Sequence, residues 1–336
     1  MMDLALVWFL IIAFFWLGYL FLEGFDFGVG MLLPVLGRNE TERRVMVNTI
    51  GPVWDGNEVW LIVAVGATFA AFPGWYATLL SSAYLPLLAV LVGLIGRGVA
   101  FEYRGKVDSV RWRRNWDRVI VVGSWLPALG VGLLLSWNVL GLPIDASGNR
   151  VGSAFAAFQW ETLLGALAIV GFSLVHGAVF VALKTDGEIR SRARLLAMRI
   201  GPFALLPLLG LLLTVQLRSG SLWTWLCIGV VVVAALLSLV RLGIGREGQA
   251  FALMALVIVG SVVALFGALY PDVVPSTVDA AFSLTIEETA SSPYTLKVMT
   301  WVAGLGAPAV LVYQGWTYWV FRKRIGTGHI PPVRVP

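Results

Sequence analysis

Cysteine and histidine are nearly absent from this chain: among 336 residues there is one cysteine, Cys227, and there are two histidines, His176 and His329. A lone cysteine closes no intrachain disulfide and builds no metal centre, and inside an apolar run it reads as a small buried hydrophobe. His329 sits in the polar tail, so His176 is the only imidazole within an apolar segment. The chain therefore cannot by itself supply a bis-histidine haem site, a three-histidine copper site or a diiron cluster, and it offers one axial ligand at most. No Walker motif, no Rossmann glycine pattern in strand context and no serine-protease or zinc-hydrolase signature is present. Any redox centre is expected on a partner, and the chain itself should hold no metal. Charge is also scarce, at 13% of residues.

Apolar residues fill the space that charge leaves. They make up 59% of the chain, and mean hydropathy is +0.85, which excludes a soluble, disulfide-built or nucleic-acid-binding globular protein. The pattern is one of long runs rather than alternation, so the spans are helices and not barrel strands. Nine candidate spans follow, at about 4–33, 49–72, 78–97, 118–140, 160–183, 200–217, 222–241, 249–270 and 295–321. All but Arg150, Arg218 and Lys297 of the 24 basic residues fall in the odd-numbered loops and the tail. The positive-inside rule then places the N-terminus outside and the C-terminus inside. Met1-Met2-Asp3 has no basic n-region, so the first span is expected to be retained. Trp75, Trp137, Trp223 and Trp225 read as outer interface anchors, and Trp112, Trp116 and Trp319 as inner ones.

An internal echo pairs Glu23-Gly24, a basic loop and Ile50-Gly51-Pro52 with His176-Gly177, another basic loop and Ile200-Gly201-Pro202. It suggests an all-α polytopic membrane protein built as two pseudo-symmetric four-helix bundles plus one peripheral helix. The chain reads as one membrane domain, 1–336, with approximate halves 1–140 and 160–270 and the ninth helix at 295–321. The acidic outer segment from Pro271 to Pro293 receives no function.

Four acids stand out because they lie inside the first two apolar runs: Glu23, Asp26, Asp55 and Glu58. Each would cost roughly 2.5–3.5 kcal/mol at the centre of a lipid-facing helix, so all four are expected to face inward. Glu23 and Asp26 are three apart, as are Asp55 and Glu58, and each pair should share a helix face. Asp26 and Asp55 each lie about 10 residues from the loop around Arg38–Arg44, roughly 15 Å along a helix, and should meet at similar depth. Gly24 and Gly28 form a small-residue step beside Asp26 that admits a neighbouring backbone. Crowded carboxylates share protons, which suits a relay, although the same acids could be structural or paired with an arginine such as Arg97. Glu102, at the end of the third span, reads as a surface ion-pair residue more than a proton entrance.

Three segments carry a family resemblance: Gly24-Phe25-Asp26-Phe27-Gly28-Val29-Gly30, Arg38-Asn39-Glu40-Thr41-Glu42-Arg43-Arg44, and Gly51-Pro52-Val53-Trp54-Asp55-Gly56-Asn57-Glu58-Val59-Trp60-Leu61. Together they resemble subunit II of the cytochrome bd quinol oxidases. Phe72-Pro73-Gly74-Trp75-Tyr76, Gly123-Ser124-Trp125-Leu126-Pro127 and Leu265–Pro271 continue the likeness to Ser292–Lys297 and Trp316–Arg322, where it is most similar to actinobacterial members. The resemblance implies a bacterial plasma-membrane complex that oxidises quinol and reduces dioxygen to water. It implies a haem-bearing subunit I carrying haems b558, b595 and d, and a structural quinone, menaquinone or ubiquinone, within this chain. A small accessory subunit is left open, membrane lipid is expected around the helices, and no nucleic acid is. Asp55 matches the family aspartate of a cytoplasmic proton pathway and Asp26 a second acid of the first helix; Glu58 and Glu23 join them as expected relay residues. Two other readings compete: a purely structural subunit needed for haem assembly, and a proton-coupled secondary transporter.

Overall fold

The computed structural model describes residues 4–153 and 159–330; Met1-Met2-Asp3 and Arg334 lie outside the described residues. The chain runs through α1 (Leu4–Leu36), α2 (Glu40–Ile50), α3 (Trp54–Ala71), α4 (Pro73–Ser82), α5 (Tyr84–Tyr103) and α6 (Val110–Leu140). It continues through α7 (Trp160–Lys184), α8 (Gly187–Ala204), α9 (Leu206–Ser219), α10 (Leu222–Gly243) and α11 (Glu247–Leu269). A short antiparallel pair, β1 (Asp272–Val274) and β2 (Leu284–Thr285), precedes α12 (Ile286–Thr289) and α13 (Pro293–Val320).

Among the described residues, eight helical stretches are long and apolar enough to cross a membrane: α1, α5, α6, α7, the continuous α8–α9 stretch, α10, α11 and α13. The remaining expected span, 49–72, forms α3 alongside α1; Asp55, Asn57 and Glu58 in its first turns dilute its apolar content. Prolines set the breaks. Pro73 opens α4 after the turn at Phe72, and Pro202 and Pro207 flank the break at Leu205 that divides α8 from α9.

α7 is the most enclosed helix, and α1 and α6 pack along it. Glycine makes the contacts close. A Cβ on Gly28 would lie 1.9 Å from Ser173 O and 2.7 Å from Gly177 Cα, so the backbones of α1 and α7 touch where the small-residue step predicted an approach. Gly132 and Gly165 bring α6 and α7 together in the same way, with 2.4 Å from a Gly132 Cβ to Gly165 O. α13 is the opposite case. It packs lightly on α1 and α3, and Leu296 is its only fully buried residue.

The charged loops gather at one end. Arg104 Nε meets Asp117 Oδ1 at 2.6 Å and Arg104 Nη1 meets Glu40 Oε1 at 3.0 Å, tying α2, α5 and α6 together. Arg192 reaches Glu42 at 2.8 Å from α8 to α2, and Glu247 receives Arg190 at 2.7 Å and Arg324 at 3.3 Å. The positive-inside rule assigns this end to the cytoplasm. At the other end the segment after Pro271 is a folded cap rather than an open loop. Leu142 N donates to Pro275 O at 2.9 Å, Ser276 Oγ to Ile144 O at 2.8 Å and Ser291 N to Ala71 O at 2.8 Å. Burial, together with the negative charge of Glu288, holds the Asp272 carboxyl in this cap above the usual carboxylate range.

Two of the expected interface tryptophans belong to the core instead. Trp75 and Trp137 are buried, and Trp75 packs against Phe9, Phe72 and Phe266 while its Nε1 donates to Asn138 Oδ1 at 2.6 Å. An indole with its one donor satisfied internally needs no interfacial water. Trp223, Trp225 and Trp319 are exposed, as an anchor requires. Glu102 is exposed and has no ion pair among the described residues.

Candidate functional site

Helix α1 is buried on nearly every side from Leu22 to Leu33, so Glu23 and Asp26 are fully enclosed. Their neighbours come from α3 and α5. Arg97, on α5 and also fully buried, uses one nitrogen for two acids: Nη2 lies 2.7 Å from both carboxylate oxygens of Glu23 and 2.7 Å from Glu58 Oε1. Its guanidinium stands over the Phe27 ring at 4.7 Å. Arg97 Nε and Nη1 and the nearby Tyr19 hydroxyl have no hydrogen-bond partner among the described residues.

Asp26 takes a separate partner. Asn57 Nδ2 donates to Asp26 Oδ2 at 2.8 Å, and Asp26 Oδ1 is buried with no partner among the described residues. Asn57 Oδ1 in turn accepts from the Tyr318 hydroxyl at 2.7 Å and from Gln314 Nε2 at 3.3 Å. Three of the four expected acids, Glu23, Asp26 and Glu58, are thus gathered in one polar pocket between α1, α3 and α5. One guanidinium faces those three carboxyls, so ion pairing alone does not fix how many protons the cluster holds.

Asp55 is the exception, and it departs from the expectation that all four acids face inward. It is exposed on α3, with no hydrogen-bond or ion-pair partner among the described residues. The cause is helical geometry. The buried stripe of α3 runs Asn57, Leu61, Ala64, Thr68, Ala71, and Asp55, two residues before Asn57, is rotated about 200° from it. Asp55 therefore lies near Asp26 in depth but on the opposite side of its helix. Glu58, about 100° from Asn57, flanks the stripe and reaches Arg97 from a side chain 20% exposed. Extending the stripe backward from Leu61 picks out Asn57. No sequence spacing points to Tyr318 or Gln314, more than 250 positions away.

His176 sits in an aromatic setting. Its Nε2–H donates to Phe21 O at 3.1 Å, and its ring stacks on Phe172 at 4.9 Å and Phe251 at 4.8 Å. Both faces and Nε2 are occupied, while Nδ1 is buried with no hydrogen-bond partner among the described residues. Among the described residues no group of three or more His, Cys, Asp or Glu side chains is arranged to hold a metal.

One further feature adjoins the site. A cleft of about 600 Å³ opens between α1, α3 and α13, lined by Phe14, Val59, Trp60, Met299, Val302 and other apolar residues.

Comparison with known proteins gives a consistent result. The family profile described as cytochrome bd terminal oxidase subunit II matches residues 4–321. The chain is 40% identical to cytochrome bd ubiquinol oxidase subunit 2 of Bacillus subtilis, over 97% of this chain and 98% of that protein. It is 32% identical to cytochrome bd-I ubiquinol oxidase subunit 2 of Escherichia coli, over 96% and 95% of the two. In fold it resembles the bd oxidase from Geobacillus thermodenitrificans, with a TM-score of 0.78 at 17% identity over 95% of this chain and 97% of that one.

Proposed function

This chain belongs to the cytochrome bd terminal oxidase subunit II family, and from that premise we propose that its membrane-embedded acids help carry protons from the cytoplasm to the oxygen-reducing centre of the complex. As a subunit of a membrane quinol:oxygen oxidoreductase it works beside a haem-bearing subunit I in the bacterial plasma membrane. Reduction of dioxygen to water consumes protons, and those drawn from the cytoplasm separate charge across part of the membrane without a pump. Haems b558, b595 and d belong to the partner in this reading, in keeping with the scarcity of histidine in this chain.

The observation that carries the proposal is the buried placement of Asp26, with one carboxylate oxygen held by Asn57 and the other free of protein partners among the described residues. An enclosed carboxyl with a free oxygen can take up and release a proton without breaking an ion pair. Glu58, paired to Arg97 yet partly exposed, can exchange with it. Asp55 acts from a different place. An unpaired carboxylate on the outer face of a membrane helix is costly against lipid, so that face of α3 is assigned to the subunit I interface, where Asp55 passes protons to the partner. The apolar cleft beside Trp60 suits the isoprenoid tail of the structural quinone.

A structural reading is favoured at one position. Both oxygens of Glu23 are taken by Arg97, so this acid fastens α1 to α5. The test compares amide variants in the purified complex. Asp55→Asn is expected to lower quinol-dependent oxygen uptake while the reduced-minus-oxidised haem b and d bands persist. Glu23→Gln is expected to lose haem d. Normal uptake by an assembled Asp55→Asn complex removes Asp55 from the path.

A further inference from the structure

The weakly packed helix α13 reaches the acid cluster through a chain of hydrogen bonds with a fixed direction. Trp60 Nε1 donates to Gln314 Oε1 at 2.8 Å, Gln314 Nε2 donates to Asn57 Oδ1 at 3.3 Å, and Asn57 Nδ2 donates to Asp26 Oδ2 at 2.8 Å. Tyr318 Oη adds a second donor to Asn57 Oδ1 at 2.7 Å. An amide can be turned end for end, but an indole can only donate. Trp60 therefore fixes the orientation of Gln314, and Gln314 fixes that of Asn57, whose Oδ1 the Tyr318 hydroxyl then meets as a donor. The N–H of Asn57 is left facing Asp26.

That orientation matters because an N–H donor suits a carboxylate, whereas an amide oxygen suits a protonated carboxyl. We propose that Asn57 is a positioning residue through which the seating of α13 sets the protonation preference of Asp26. With α13 seated, the two donors from that helix hold Asn57 in the form that stabilises charged Asp26. With α13 displaced, the amide turns freely and the preference is lost. Helix α13 is suited to such a part. Apart from Leu296 it has no fully buried residue; near its start Trp8 Nε1 donates to Leu296 O at 3.2 Å and to Thr300 Oγ1 at 3.1 Å, and just past its end Lys184 Nζ donates to Phe321 O. Between the Trp8 contacts and the Asn57 contacts lies the apolar cleft. The other ionisable groups around Asp26 are Glu23 on its own helix, Glu58 on α3 and Arg97 on α5. Tyr318 stands on α13, and α7 contributes His176 beside Phe25.

The inference rests on the proton-carrying reading of Asp26, and the experiment separates the two. Oxygen uptake by the purified complex is measured against pH for wild type, Tyr318→Phe, Asn57→Leu, the double variant and Asp26→Asn, with haem spectra on each sample. Asn57→Leu is expected to move the midpoint of the profile to higher pH by about one unit, the size of one hydrogen bond to a charged group. Tyr318→Phe should move it less in the same direction, and adding it to Asn57→Leu should move nothing further. If Asn57→Leu does not assemble, Tyr318→Phe alone carries the test. A wild-type profile for an assembled Tyr318→Phe complex, or equal shifts from Tyr318→Phe in both backgrounds, overturns the positioning role. A normal rate and profile for Asp26→Asn overturns the proton-carrying reading, and the inference with it.

Discussion

The two arms of the sequence echo, Glu23-Gly24 on α1 and His176-Gly177 on α7, meet opposite environments in neighbouring helices. Around Glu23 lie Arg97, Glu58, Tyr19 and, one turn on, Asp26 with Asn57. Around His176 lie Phe21, Phe25, Phe172 and Phe251. Both stretches use glycine for close helix contact, and Gly28 of one touches Gly177 of the other. The difference shows that helix crossing and proton chemistry are separable. Glycine spacing sets the frame on both helices, while only the side facing α3 and α5 is supplied with groups that can exchange protons.

The comparison can be broken most forcefully at Arg97. Arg97→Leu leaves the enclosed Glu23 and the partly exposed Glu58 without their cation, and a cost of about 3–5 kcal/mol is expected. It should appear as loss of haem-containing complex on purification and a lowered thermal midpoint; an Arg97→Leu complex as stable as wild type would remove the ion triad from the account. At the matching site on α7, His176→Phe exchanges one ring for another among phenylalanines. It also removes the N–H donated to Phe21 O, so the expected cost is about 1–2 kcal/mol, with unchanged haem bands and oxygen uptake. A large loss of turnover there would erase the contrast between the two arms.

A smaller effect concerns the cytoplasmic ties between the arms. Partial burial works against the charge of Glu42, but hydrogen bonds from Arg192 and from the Arg38 backbone hold its carboxyl below the usual carboxylate range. A carboxyl held low in the folded state contributes stability that is present above its unfolded value and lost as pH falls through the folded one. Glu42→Gln should therefore flatten the acid side of a plot of thermal midpoint against pH and leave the neutral side only slightly lowered. A plot whose acid side keeps its wild-type slope would show that the tie contributes nothing.

The membrane-crossing helices were legible from hydropathy because lipid demands long apolar runs whatever the partners are. The acids were legible for the same reason, since charge in such runs is conspicuous. The Gly24 and Gly28 step correctly announced a close helix contact. Which way Asp55 points was not legible from its spacing to Glu58, because a shared face says nothing about where that face looks. The stripe from Leu61 to Ala71 held that information, and it runs through Asn57. Trp75 reads as an interfacial anchor in the sequence because Asn138, the hydrogen-bond partner that keeps it in the core, is 63 positions away. The joining of Tyr318 and Gln314 to Asn57 is a tertiary contact of the same kind, and no local pattern encodes it.

The central claim is that Asp26 carries protons whereas Glu23, three residues earlier, holds helices together. Its most direct measurement is quinol-dependent oxygen uptake per haem by the complex carrying Asp26→Asn, with the reduced-minus-oxidised spectrum taken on the same sample. The account predicts full haem b and d bands with uptake reduced about tenfold or more, a barrier raised by at least ~1.4 kcal/mol. Full bands with wild-type uptake would contradict it.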